Sequence, residues 1–185
     1  TDIERIEREA DNLNRLIGQV LAYSRLQAQE RVTFDRINLR EVVDAIVDDA
    51  RYEGQALGIE VDCERCEPLA VAGSESLLSS ALENVIRNAI HHARRRVEVE
   101  LSRTAEQGLI VVRDDGPGVP PDELPRMFEP FFTGSNDQRA SGAGVGLAIA
   151  RRAIELHGGS ISAFNRESGG LEVRIELPLT QPDQP

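Results

Sequence analysis

The sequence predicts a mixed α/β domain preceded by one long helix, and three observations carry that expectation. A stretch without Pro from Asp2 to about Glu30 carries a heptad seam, helical and strand periodicities alternate after Arg31, and residues 114–143 form a long segment rich in Gly, Pro and Asp. At roughly 150 residues per domain, a chain of 185 residues holds one full domain and a remainder. Hydrophobic residues at 40% and charged residues at 29% suit a soluble globular chain that can bury a core, and argue against disorder.

In the first segment apolar residues fall at Ile3, Ile6, Ala10, Leu13, Ile17 and Val20, the a/d spacing of a coiled-coil seam, widened by Leu16 and Leu21. A helix of about 28 residues is about 42 Å long and has too little apolar surface to fold alone. It is expected to pair in a coiled coil or four-helix bundle, most simply as a homodimer; the alternative is an amphipathic helix lying on its own domain. Leu39–Leu57 then reads as a helix, and Ile59–Cys63 and Leu69–Ala72 as short strands. Ser74 is the expected N-cap of a helix running to about His92. Val97, Val99 and Leu101 alternate with Glu98, Glu100 and Ser102 as a strand. Leu109–Val112 is a continuously apolar strand that ends in Arg113, Asp114 and Asp115. One helical turn is expected after Pro121, and a helix from Val145 to Leu156 is stopped by Gly158 and Gly159. Two strands follow, Ser160–Phe164 and the alternating Leu171, Val173, Ile175 and Leu177, before a tail from Pro178 that is expected to fray. The expected divisions are 1–31 for the helix, 32–180 for the domain and 181–185 for the tail.

Charge removes several functions. With 32 acidic and 21 basic residues the net charge is −11, so a nucleic-acid backbone would be repelled. Every basic residue is Arg, which excludes Schiff-base chemistry and the lysine-bearing G-x-x-x-x-G-K-[ST] phosphate loop. No apolar run approaches the roughly 18 residues of a membrane span, and the first residues, Thr1 to Arg5, are charged rather than signal-like. Lacking an initiator Met, the chain is read as part of a longer one. Cys63 and Cys66 form a single C-x-x-C, too few ligands for structural zinc. Both are expected to be reduced in a cytosolic setting, Cys63 on a strand and Cys66 in the following turn.

The chemistry concentrates in three places. On the helix after Ser74, Leu77, Leu78, Ala81, Leu82, Val85 and Ala89 make an apolar arc at about 100° per residue. Asn88 projects inside this arc and Asn84 at its edge, with His91 completing an i, i+4, i+7 set. An amide among aliphatics costs a few kcal/mol unless it is hydrogen-bonded. These residues are therefore either satisfied structural amides or neutral oxygen ligands of a kind suited to Mg²⁺. Asp114-Asp115-Gly116-Pro117-Gly118 sets a carboxylate at a strand end, able to accept from an amino group such as that of adenine, although the same residues also make a good turn. Gly142-Ala143-Gly144-Val145-Gly146 leads into a helix, the arrangement of a phosphate cradle. Its G-x-G-x-G spacing, preceded by a polar loop, does not fit a dinucleotide fold. A loop this long is usually a lid or binding loop.

Together, in this order, these segments resemble the ATP-binding catalytic domain of sensor histidine kinases, within the gyrase, chaperone, histidine-kinase and mismatch-repair ATPase superfamily. Glu83-Asn84-Val85-Ile86-Arg87-Asn88-Ala89 looks like the asparagine box, and Asp114-x-Gly116-x-Gly118 like the first glycine box. Met127-Phe128-Glu129-Pro130-Phe131-Phe132 is similar to the phenylalanine box, and Gly142-x-Gly144-x-Gly146-Leu147 to the second glycine box. Residues 1–30, ending Leu21-Ala22-Tyr23-Ser24-Arg25-Leu26, resemble the second helix of the family's dimerisation hairpin. The wording around the asparagine box is closest to Cpx-type envelope-stress sensor kinases.

The resemblance implies a two-layer α/β sandwich, the Bergerat ATP-binding fold, with a mixed sheet packed on helices. It implies ATP and Mg²⁺ as ligands, with Asn88 on the metal, Asn84 on the phosphates or metal, and Asp114 on the adenine amine. Gly116 and Gly118 would shape the pocket. Gly142, Gly144, Val145, Gly146 and Leu147 would close over the phosphates, while Phe128, Phe131 and Phe132 would anchor the lid. Three departures stand out. His91 and His92 occupy the places of a basic residue and a Tyr that contact phosphate and base. Thr133 stands where Arg is common, so Arg139 would supply the missing charge. The histidine box is absent, so the phosphoacceptor lies on a first hairpin helix that this chain does not include. The implied activity is transfer of the γ-phosphoryl group to that histidine and onward to a response regulator. The implied setting is the cytoplasmic portion of a bacterial inner-membrane homodimer, attached to the membrane only through upstream segments. An ATPase or anti-sigma-type serine kinase of the same fold, and a nucleotide-dead dimerisation module, are the alternatives.

Overall fold

The computed structural model describes residues 17–18, 20–28, 33–135 and 144–180. The expectations for residues 1–16, for Arg139 and Gly142, and for the tail at 181–185 lie outside the described residues.

The last part of the heptad segment is helical through residues 17–18 and 20–28, here α1. Then follow β1 (Asp35–Asn38), α2 (Leu39–Leu57), β2 (Glu60–Cys66), β3 (Ala70–Gly73), α3 (Glu75–His92), β4 (Arg96–Arg103) and β5 (Gln107–Asp114). A 3-10 turn at Leu124–Arg126 precedes α4 (Gly146–Leu156), β6 (Ser160–Asn165) and β7 (Leu171–Pro178). The main sheet has the order β2-β4-β5-β7-β6. Its β2–β4 pair is parallel and the other neighbours are antiparallel. β1, too short and mixed to be read from periodicity, pairs with β3 in a separate two-stranded sheet.

Helices α2, α3 and α4 cover one face of the main sheet. Val97, Val99, Leu101, Ile110, Val112, Val173, Ile175 and Leu177 point into that layer and are buried, as period-two alternation demands. The opposite face carries interleaved charges. Arg113 bonds Glu172 at 2.6 Å and Glu100 at 3.0 Å, and Arg174 bonds Glu172 at 2.5 Å while its guanidinium lies 4.8 Å over the Phe164 ring. An antiparallel sheet can leave such a face open to water.

Two local expectations are corrected. Cys66 belongs to β2 rather than to a turn, and its side chain lies beside that of Cys63. Residues three apart on a regular strand face opposite sides. A bulge between Cys63 and Arg65 restores parity, setting Cys63 opposite Val99 and Cys66 opposite Leu101, both inward-facing positions. Ser74 does occupy the N-cap of α3, but its side chain makes no capping bond. Its own N–H donates to His157 Nε2 at 2.9 Å, while His157 Nδ1 bonds the Ala153 carbonyl at 2.6 Å. Burial pushes the His157 pKa down, against the pull of the Ala153 carbonyl, so the ring is neutral and can accept. Phe34 stacks on it at 5.1 Å.

The described end of the heptad helix packs on its own domain. Leu26 is buried with Val145 and Ile149, flanked by Ala22, Tyr23 and Leu77. Ile17, Val20 and Leu21 stay exposed.

Candidate active site

Helix α3 buries Leu78, Ala81, Leu82, Val85, Ile86, Ala89 and Ile90. Asn84, Asn88, His91 and His92 lie at the margin of that face and are half-buried. Asn84 Nδ2 donates to the Ser80 carbonyl at 2.8 Å. Its Oδ1 lies 2.7 Å from where a Cβ on Gly146 would stand, so only glycine lets α4 start this close to the asparagine helix. Asn88 makes no side-chain hydrogen bond among the described residues, which leaves its carbonyl oxygen for a ligand. Glu83 is exposed. The His91 and His92 rings meet edge to face at 5.1 Å.

At the end of β5, Asp114 is only 3% exposed. Its Oδ1 accepts the N–H groups of Gly116 at 2.8 Å and Leu171 at 3.3 Å. Burial raises its pKa above the ordinary carboxylate range, and these donors, with His92 nearby, offset only part of the rise. Asp115 behaves oppositely. Burial would raise it, but its Oδ1 accepts from three consecutive amides, Arg94, Arg95 and Arg96, at 2.8, 3.0 and 3.1 Å, and the pKa ends below its usual value. It thereby fastens the turn after α3 to the start of the Gly116 loop. A side chain on Gly116 would collide with the His92 carbonyl, so this loop backs directly onto the end of α3.

The second glycine segment is described from Gly144 onward. Gly144 has φ +65 and presses on the Phe132 carbonyl, while its own carbonyl accepts the Phe131 N–H at 2.9 Å. Val145 is fully buried against Leu26 and Ile149, and Leu147 packs on the main core. Their side chains thus serve packing, and only their backbone is left to meet a phosphate. Phe128 is buried and Phe132 packs against the core, with Arg126 4.7 Å over its ring. Phe131 is 62% exposed and holds a left-handed backbone, φ 66. The bond from its N–H to Gly144 turns the chain there and swings the ring outward.

Among the described residues no three His, Cys, Asp or Glu side chains gather as a metal site. A divalent cation here would depend on the Asn88 carbonyl and on the oxygens of the ligand it accompanies, which fits Mg²⁺, a cation commonly held by few protein groups plus phosphates. Sequence reasoning missed the part of Asp115, which reaches backbone amides about twenty residues back and so leaves no periodic or motif signal.

Residues 73–181 match the family described as histidine kinase-, DNA gyrase B- and HSP90-like ATPases. The chain is 34% identical over 181 residues to the sensor histidine kinase CpxA of Escherichia coli (strain K12), covering 96% of this chain and 40% of that protein. It is 37% identical over 165 residues to the sensor protein CutS of Streptomyces coelicolor, covering 86% of this chain and 39% of the relative. It thus spans about 40% of the length of the curated relatives it matches. Among solved structures, full-length ShkA in complex with AMPPNP superposes with a TM-score of 0.84 at 26% identity, over 97% of this chain and 38% of that one. The chain therefore belongs to the histidine kinase-, DNA gyrase B- and HSP90-like ATPase family, as a catalytic domain of the sensor histidine kinase kind.

Proposed function

We propose that this domain binds Mg²⁺·ATP and presents the γ-phosphoryl group to a histidine on the dimerisation hairpin of its parent protein, for onward transfer to a response-regulator aspartate. The observation that carries this reading is Asp114, a buried carboxylate at a strand end, facing a loop whose backbone approaches are open only to glycine. Such a group accepts a hydrogen bond from an exocyclic amine, most strongly while it is charged. Bound Mg²⁺ supplies charge neutralisation on the phosphates. Asn88 offers a half-buried carbonyl oxygen on α3, and its side chain makes no hydrogen bond among the described residues. Asn84 holds its amide toward the start of α4, where helix N–H groups face a phosphate. Arg139 adds positive charge from the loop, and His91 and His92 border phosphate and base.

Transfer rather than hydrolysis is supported by what stands at the asparagine box. Activating water takes a base; Asn84 is an amide and Glu83 points to solvent. None of the three histidines suits a phosphoacceptor. His91 and His92 close the asparagine-box helix that would itself hold the nucleotide, and both nitrogens of His157 are occupied. Ile17, Val20 and Leu21, exposed on α1, support dimerisation through this helix.

The deciding experiment incubates a chain extended N-terminally through the other hairpin helix with ATP labelled on its γ-phosphate. Label is expected on a histidine of that helix. Steady phosphate release without labelling would instead indicate an ATPase, and absent nucleotide binding a dimerisation module. EDTA and Asn88→Ala should each weaken ATP binding by about tenfold or more, roughly 1.4 kcal/mol; unchanged affinity would overturn the metal assignment.

A further inference from the structure

Behind the Asp114 loop lies a turn that none of the four motif segments includes: residues 166–170, joining β6 to β7, with Asn165 at the end of β6. It grips the loop at several points. Asn165 pairs with the Val119 backbone in both senses, its Oδ1 accepting the Val119 N–H at 2.9 Å and its Nδ2 donating to the Val119 carbonyl at 2.6 Å. A side-chain amide here stands in for the peptide group of a neighbouring strand, and two bonds fix what one would let pivot. Arg166 Nη1 donates to the Asp114 carbonyl at 2.9 Å, and the Leu171 N–H reaches Asp114 Oδ1 at 3.3 Å.

Both backbones are shaped for this approach. Gly118, φ +74, admits the Asn165 side chain: a Cβ there would lie 2.7 Å from Asn165 Oδ1. Gly170, φ +93, lies against the Asp114 carbonyl so closely that any side chain would collide with it. A positive φ is a conformation that residues other than glycine rarely adopt, and here the glycines on the two sides face each other's partner.

We propose that the β6–β7 turn is part of the base-binding site, with Asn165 and Arg166 as positioning residues that hold Asp114 and the 116–119 loop in the shape that reads a nucleobase amino group. The inference rests on the nucleotide reading above. A terminal carboxylate torsion is soft and roughly two-fold, so Asp114 alone would not present one oxygen in one direction. Two backbone donors on Oδ1 set its plane and leave Oδ2 to the ligand, and one of those donors, Leu171, is the first residue of β7, directly after this turn. Arg166 fixes the backbone from which the carboxylate hangs, and Glu98 at 3.9 Å balances its charge. Orientation matters at this level because a displacement of about 1 Å at a positioning group can cost about a hundredfold.

The test measures ADP and GDP binding to the whole chain by calorimetry across pH, for the unaltered protein, Asn165→Ala, Arg166→Ala, Arg166→Lys and Glu167→Ala. Asn165→Ala and Arg166→Ala are each expected to weaken ADP by about tenfold and to narrow the preference for ADP over GDP. They should also move the midpoint of the pH dependence upward, since a loosened Leu171 N–H no longer favours the charged carboxylate. A purely structural role would leave that midpoint in place. Arg166→Lys, which keeps a donor, should recover part of the loss, and Glu167→Ala, exposed in the turn, should match the unaltered chain. If Asn165→Ala does not fold, Arg166→Ala carries the same test. Unchanged affinity and midpoint in either folded variant overturns the inference alone. Absence of ADP binding by the unaltered chain overturns the nucleotide reading and the inference with it.

Discussion

Asp114 and Asp115 are adjacent, and their surroundings push them in opposite directions. Asp114 is buried with its pKa raised, so it loses its charge at a pH where an exposed carboxylate would keep it. Nucleotide affinity should therefore fall as pH drops toward the raised value, above the ordinary 3.9 or so. Asp114→Asn should weaken ATP and ADP alike and flatten that dependence, as calorimetric titration across pH would show. Asp115 has a lowered pKa. Its stabilisation is fully present above the unfolded value and is lost as pH falls through the folded one. Asp115→Ala leaves three amides without their acceptor and should cost about 1–2 kcal/mol, with Asp115→Asn recovering part of it, read as the denaturation midpoint. The sequence made Asp114 legible, because a carboxylate before a Gly-x-Gly turn has a recognisable local pattern. It hid Asp115, whose three partners lie about twenty residues back.

Element boundaries that depend on nearest neighbours were readable. Helix α2 spans Leu39–Leu57 as its periodicity predicts, and Gly58, φ +72, ends it. Helix α3 starts where expected, yet its first turn is held by His157, 83 residues away. A cap supplied from that distance has no local signature. Ser74→Ala should then change stability by no more than about 0.5 kcal/mol. His157→Ala, which orphans a half-buried N–H, should cost about 1–3 kcal/mol; thermal melts of the two variants decide between the caps. Because the folded His157 pKa is lowered, its contribution is fully present above the unfolded value near 6.5 and is lost as pH falls from there toward the folded value. The same ring stacks on Phe34, so the segment leading from α1 is tied to the ends of both helices that border the site. The β2 bulge was likewise unreadable, since it shows only in the register against β4.

For the molecule as a whole, a charge of −11 and the lack of any Lys mean that a polyanion such as ATP is held against the overall field. On the proposed reading, binding would come from local groups: glycine amides, Arg and an accompanying cation. Saturating Mg²⁺·ADP at about a hundred times its dissociation constant should stabilise the fold by about 2.7 kcal/mol, seen as a raised melting temperature. The same nucleotide with a chelator should give much less, and equal shifts would show that the cation is dispensable. Sheet order has a further consequence, for synthesis. β7 follows every other strand in the chain, yet it lies between β5 and β6. As the polypeptide leaves the ribosome, β2, β4 and β5 can assemble, while β6 must wait unpaired until β7 slots in beside it. The amide of Leu171 and the turn behind Asp114 arrive with that strand. A nascent chain can therefore fold most of its core before it can recognise a base, and translation must reach the last strand before the domain becomes a nucleotide receptor.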